Sequence, residues 1–179
     1  MPSRRPAAAT WLDREQGPVL AAVDVSDGAD LKVAREVVTA ARRVAPGPLH
    51  LVHAWHLVGE SVLACAVRGV GRARMGKLRR ATRAERRRRM KALLAEAGIE
   101  PDDVVLHVVH GRPGRAIRGV AGRVGAGWVV LGPPSPVLPG LPPLGVAEVL
   151  AVRAPFGVVF VPREVVPSGG RSPTGDATG

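Results

Sequence analysis

The chain has 179 residues, with 26 lysines and arginines against 15 aspartates and glutamates, a formal net charge of +11. That length suits one domain able to bury a core, and 46% hydrophobic residues exclude general disorder. The single cysteine, Cys65, excludes a disulfide framework and a cysteine-cluster metal site, while the lack of a long apolar run excludes a transmembrane helix or a signal peptide and points to the cytoplasm.

Residues 1–16 read as a flexible arm, 17–163 as one folded domain, and the Ser/Gly/Pro/Thr-rich stretch 164–179 as a disordered tail. After Gly17 and Pro18, the apolar run 19–23 suits a strand buried on both faces. Residues 24–28 are turn and helix-capping chemistry. Leu31, Ala34, Val38, Ala41 and Val44 recur at helical spacing over 29–44, and Pro46, Gly47 and Pro48 stop that helix. A second strand covers 49–55. Beyond a variable stretch, 56–74, a long helix is expected over 75–97, with Gly98 after it. Its apolar stripe of Met75, Leu78, Met90, Leu93 and Leu94 is interrupted by the arginines at 86–89. A third strand at 104–109 is followed by a break at Gly111 and Pro113 and a short helix over 116–124. Then come a fourth strand at 128–131, a long loop at 132–145, a helix at 146–153 and a fifth strand at 156–161. Apolar strands alternating with helices predict a parallel sheet covered on both sides, an α/β three-layer sandwich.

The charge is concentrated. From Arg68 to Lys91 there are ten arginines and two lysines against Glu85 alone, and the rest of the chain is neutral. Three readings stand for the patch formed by Arg79, Arg80, Arg83, Arg86, Arg87, Arg88 and Arg89. It is a solvated helix face whose long stems pack down on the domain. Or it contacts nucleic-acid phosphates, non-specifically and with steep salt dependence, since it carries no aromatic residue to stack bases. Or it meets an anionic membrane surface or an acidic partner.

Open parallel sheets bind ligands beyond the carboxyl ends of their strands, where strand order reverses. Two loops stand out there, 24–28 and 132–145. In the first, Val23, Asp24, Val25, Ser26, Asp27 and Gly28 resemble the first strand-loop of universal stress proteins (the UspA-like family). His110, Gly111, Arg112 and Pro113 resemble the end of that family's third strand. Most specific is Gly132, two residues, Ser135, nine residues, then Gly145 and Val146, which follows the spacing of the family's nucleotide-binding motif without a gap. The resemblance covers about 17–163. It implies a five-stranded sheet of order 3-2-1-4-5, of the adenine nucleotide alpha hydrolase-like kind. It also implies a homodimer joined through the last strand, from Phe156 to Val161. Asp24 would contact the adenosine part of ATP or AMP, and Gly132, Ser135, Gly145 and Val146 would lie along the phosphates. The bland alternatives are that Asp24 caps the following helix and that Gly132 and Gly145 serve turns.

The departures from that motif bear on ligand binding. Serine stands at 135 where the family has glycine, and valine at 146 where it has a hydroxyl. Prolines occupy 133, 134, 136, 139, 142 and 143. Phosphate loops aim backbone N–H groups at oxygen, and proline has none. The expectation is a non-enzymatic stress-response binding domain with weakened or absent ATP binding and no cofactor. The alternatives are an ATP/AMP sensor and a basic nucleic-acid module. Other chemistry has less support. His53, His56 and His110 sit at ends of adjacent strands, where three imidazoles can hold zinc, but no carboxylate spacing joins them. Ser26 and Ser135 lack a nucleophile elbow, Cys65 reads as a small buried hydrophobe, and no Gly-x-x-x-x-Gly-Lys loop is present.

Overall fold

The structure, a computed structural model, describes residues 17–45, 47–55, 72–133, 146, 150 and 155–162. The arm 1–16, the variable stretch 56–71, most of the loop 134–145 and the tail lie outside the described residues. The elements are β1 (Val19–Ala22), α1 (Leu31–Val44), β2 (Leu49–Trp55), α2 (Arg72–Glu96), a 3-10 turn (Pro101–Asp103), β3 (Val104–His110), α3 (Pro113–Val124), β4 (Trp128–Leu131) and β5 (Gly157–Phe160). Val146 and Leu150 are helical, within the expected helix 146–153. No described helix is long and apolar enough to cross a membrane.

Helix boundaries follow local chemistry. The first helix begins at Leu31 rather than at 29, because the Asp30 carboxylate accepts from the backbone N–H groups of Lys32 (3.1 Å) and Val33 (3.4 Å). That cap belongs to Asp30, so the capping alternative for Asp24 is set aside. The third helix starts three residues earlier than its apolar spacing predicts, because Pro113 supplies a pre-set φ where an N–H is not needed. It ends on Gly125, whose φ of +64° is the left-handed cap that glycine adopts without strain.

All five strands are parallel, in the order β3-β2-β1-β4-β5. Two helices, α1 and α2, cover one face. There Val37, Val38, Met90, Leu93 and Leu94 pack on Val19, Ala21, Leu49 and Leu51. On the other face, Ile117 and Val120 of α3, with Leu150, pack on Leu20, Val52 and Val129. Alternation along each strand sends neighbouring side chains to opposite faces, and both faces are covered, which is why the strands read as unbroken apolar runs. The chain leaves β1 toward β2 and β3, then returns to β4 on the other side. The crevice of the sheet therefore opens at the carboxyl ends of β1 and β4.

Candidate functional site

The loop after β1 forms one wall of that crevice and is tied from within. Asp24 is exposed, and its Oδ1 accepts from the Ser26 N–H at 2.8 Å. Gly28 closes the turn at a φ of +79°, a conformation that side chains disfavour. Val25 points into the core and is fully buried. Its carbonyl accepts from Arg86 Nη1 (3.1 Å) and Arg89 Nη1 (3.4 Å), both reaching across from α2. The same guanidiniums pair with the Asp27 carboxylate, Arg86 at 3.3 Å and Arg89 at 2.5 Å. Arg86, then Arg89, hold that carboxyl below the usual carboxylate range.

Beneath the loop lies His53, a buried polar side chain of β2 with 2% exposure. Its Nδ1 lies 3.1 Å from the Val23 carbonyl and 3.4 Å from the Val25 N–H. The shorter contact assigns the proton to Nδ1, which donates to Val23, and leaves Nε2 a buried lone pair with no partner among the described residues. Burial pushes the imidazole below its ordinary pKa, outweighing the hydrogen bond to Val23 and the Asp24 carboxylate at 3.8 Å. His53 is thereby a neutral strut holding the β1 loop.

The opposite wall starts with Gly132 after β4. A Cβ built there would meet Val33 Cγ1 at 3.0 Å and Val37 Cγ2 at 3.4 Å. Glycine at 132 thus lets α1 pack closely on the end of β4, whatever the crevice holds. Val146 is half-buried against the α3-side core. Ser135 and Gly145 lie outside the described residues.

The arginine run is divided by helical geometry. Stepping back by three and four from Leu93 gives Met90, Arg86, Arg83 and Arg79, one helical stripe that is buried at Leu93 and Met90, half-buried at Arg86 and exposed at Arg83 and Arg79. Met90 and Leu93 enter the core, and Arg86 and Arg89 clasp the β1 loop. Arg88 pairs with Glu85, which also accepts from Arg89 at 2.9 Å. Arg87 is exposed. Arg79, Arg80 and Arg83 border a separate cavity beyond the ends of β2 and β3. The apolar stripe expected for this helix is buried only toward its end, and Leu78 is exposed.

The histidines do not converge on one metal. His53 turns inward to Val23, and His110 meets Trp55 edge to face with ring centroids 5.0 Å apart. His56 lies outside the described residues. Among the described residues no group of three metal-capable side chains occurs. His50 and His107 instead share a hydrogen bond, Nδ1 to Nε2 at 2.9 Å, on the α3 face. Sequence reasoning missed the Arg86–Arg89 clasp and this histidine pair. The signal for the clasp was present in the spacing of Arg79, Arg83 and Arg86 ahead of Met90 and Leu93.

The model of the universal stress protein family matches residues 17–162. Among solved structures, the chain is similar to the universal stress protein UspA from Lactobacillus plantarum, at 17% identity over 82% of this chain and 98% of that one, with a TM-score of 0.60. It is also similar to a functionally unknown protein from Pseudomonas aeruginosa PAO1 (22% identity, 89% of this chain, 50% of that one, TM-score 0.58). A putative universal stress protein from P. aeruginosa UCBPP-PA14 gives 23% identity, the same coverages and a TM-score of 0.56. The chain spans about half the length of the two Pseudomonas proteins. No curated protein matches it. At these identities the structural likeness speaks for the fold, and the family rests on the match over 17–162 together with the strand order: the chain belongs to the universal stress protein family.

Proposed function

We propose that this chain is a non-enzymatic, cytoplasmic binding domain of the stress response whose β1–β4 crevice does not hold a nucleoside triphosphate tightly. The observation that carries the reading is the use made of Arg86 and Arg89. The guanidiniums that reach the first loop are spent on the Val25 carbonyl and on Asp27. The other wall offers the Gly132 N–H, and then Pro133, which has none. The following stretch to 146 contains five more prolines and no lysine or arginine. Asp24 keeps an exposed carboxylate suited to a sugar hydroxyl, so the described walls fit a nucleoside better than its phosphates. Two missing charge-assisted hydrogen bonds cost about a hundredfold or more in affinity. The non-enzymatic reading is supported by His53, whose Nδ1 is taken up by the Val23 carbonyl, so this buried imidazole is not presented to the crevice as a base.

A homodimer through the outer edge of β5 belongs to the same proposal. The strand pairs on one side with β4, and Phe160 is 46% exposed beside it. The test of the crevice is a thermal-shift and calorimetric titration of the full chain with Mg-ATP and with AMP. No saturating shift with ATP up to millimolar concentration is expected, and micromolar affinity for ATP would sink the proposal. In that case the nucleotide-sensor reading replaces it.

A further inference from the structure

On the α2 side of the sheet, beyond β2 and β3, lies a cavity of about 240 Å³. Among the described residues it is lined by Trp55, Arg79, Arg80, Arg83, Val108 and His110. It is separate from the β1–β4 crevice. Trp55 and His110 end their strands and are register partners, and Val108 lies on the same face of β3 two residues earlier. The edge-to-face packing of the two rings sets the indole's orientation. Trp55 is 8% exposed, and its Nε1–H is buried with no acceptor among the described residues.

Arg79, Arg80 and Arg83 close the cavity from α2. Arg79 and Arg83 belong to the stripe that further along buries Met90 and Leu93, so guanidiniums occupy positions where an amphipathic helix would place apolar side chains. Arg80 and Arg83 face no carboxylate among the described residues. Three guanidiniums around one opening raise the local potential and match the several oxygens of a phosphate through their forked donors.

We propose that this cavity is a binding site for a small organic phosphate carrying one planar ring. The phosphate would meet Arg80 and Arg83, with Arg79 alongside, and the ring would lie against Trp55 and Val108. The cavity, about 240 Å³ and partly open to solvent, has room for a phosphate with one ring attached. Cationic guanidinium and indole together favour an aromatic anion over a bare one.

The probe is phenyl phosphate, titrated into the full chain while tryptophan emission is followed, with Trp55→Phe assigning the signal. Saturable binding at submillimolar concentration is expected, tighter than that of inorganic phosphate. Arg80→Gln and Arg83→Gln should each lose about tenfold or more, one charge-assisted bond being worth about that factor. Arg87→Gln, exposed on the same helix away from the cavity, should bind as the parent does. No saturation by the parent at several millimolar overturns the proposal without recourse to any variant. So does an equal loss in Arg87→Gln, which would mean diffuse surface charge. Retention of duplex DNA through Arg80 and Arg83 without binding of phenyl phosphate also overturns it, and assigns these arginines to a nucleic-acid backbone.

Discussion

Replacing Arg86 by methionine tests whether the arginine run is a solvated face or part of the fold. Methionine keeps much of the apolar stem while removing the guanidinium. The acceptor left behind is the carbonyl of Val25, a fully buried residue. A charge-assisted hydrogen bond or the desolvation of a buried carbonyl is worth about 1–3 kcal/mol. Arg89 Nη1, at 3.4 Å from the same oxygen, takes over part of that role, so the middle of the range, about 2 kcal/mol, is expected. For a domain of this size that corresponds to a Tm fall of roughly 4–8 °C. The ion pairs to the exposed Asp27 are screened and add little. Because Arg86 and Arg89 share one acceptor, Arg86→Met with Arg89→Met should lose more than the sum of the two single changes. Arg88→Met, which loses only its pairing with Glu85, should leave stability unchanged. Urea unfolding followed by circular dichroism measures all four. The reasoning fails if Arg86→Met stays within about 0.5 kcal/mol of the parent, the range of an ordinary surface change. A nucleic-acid assay that neutralises all of 86–89 would damage the β1 loop at the same time, so Arg79, Arg80, Arg83 and Arg87 are the informative positions.

Stability should depend on pH through three histidines held below their ordinary value of 6.5. Burial is the main cause for each, with His50, Arg123 and Arg87 adding to it at His107. The unfolded chain then binds more protons, so the stability they contribute is complete above pH 6.5 and is lost as pH falls toward the folded pKa values. A Tm series from pH 7.5 to about 5 should fall, and His53→Gln should flatten it; an unchanged slope in that variant refutes the assignment. Gly157→Ala probes the pairing of β5 with β4. A Cβ at Gly157 would lie 2.3 Å from the indole of Trp128, its register partner, so the ring must move. Overpacking of this kind costs about 1–3 kcal/mol and should shift tryptophan emission, whereas a raised Tm, as expected where alanine fits, contradicts the contact.

The residue pattern alone determined the architecture. Short apolar runs separated by helical spacings leave few arrangements other than a covered parallel sheet, because the central strands must bury both faces, while the edge strands β3 and β5 keep Val105 and Phe160 exposed. The place of β1 beside β4 came with the spacing of Gly132, Gly145 and Val146, a family likeness rather than periodicity. Helix starts at Asp30 and Pro113 missed by a few residues, since apolar spacing marks where a helix packs and caps mark where it begins. What each polar side chain does was decided only by the tertiary structure. Arg86 and Val25 are 61 residues apart, and His53 and Val23 are 30 apart. Gly132 carries the motif of a phosphate loop, yet its neighbours are valines of α1. Such partners are set by which strands and helices come together: helical spacing put Arg86 in line with Met90 and Leu93, but only the fold brought the Val25 carbonyl to it, and nothing local to a histidine or a glycine distinguishes a strut or packing site from a ligand contact.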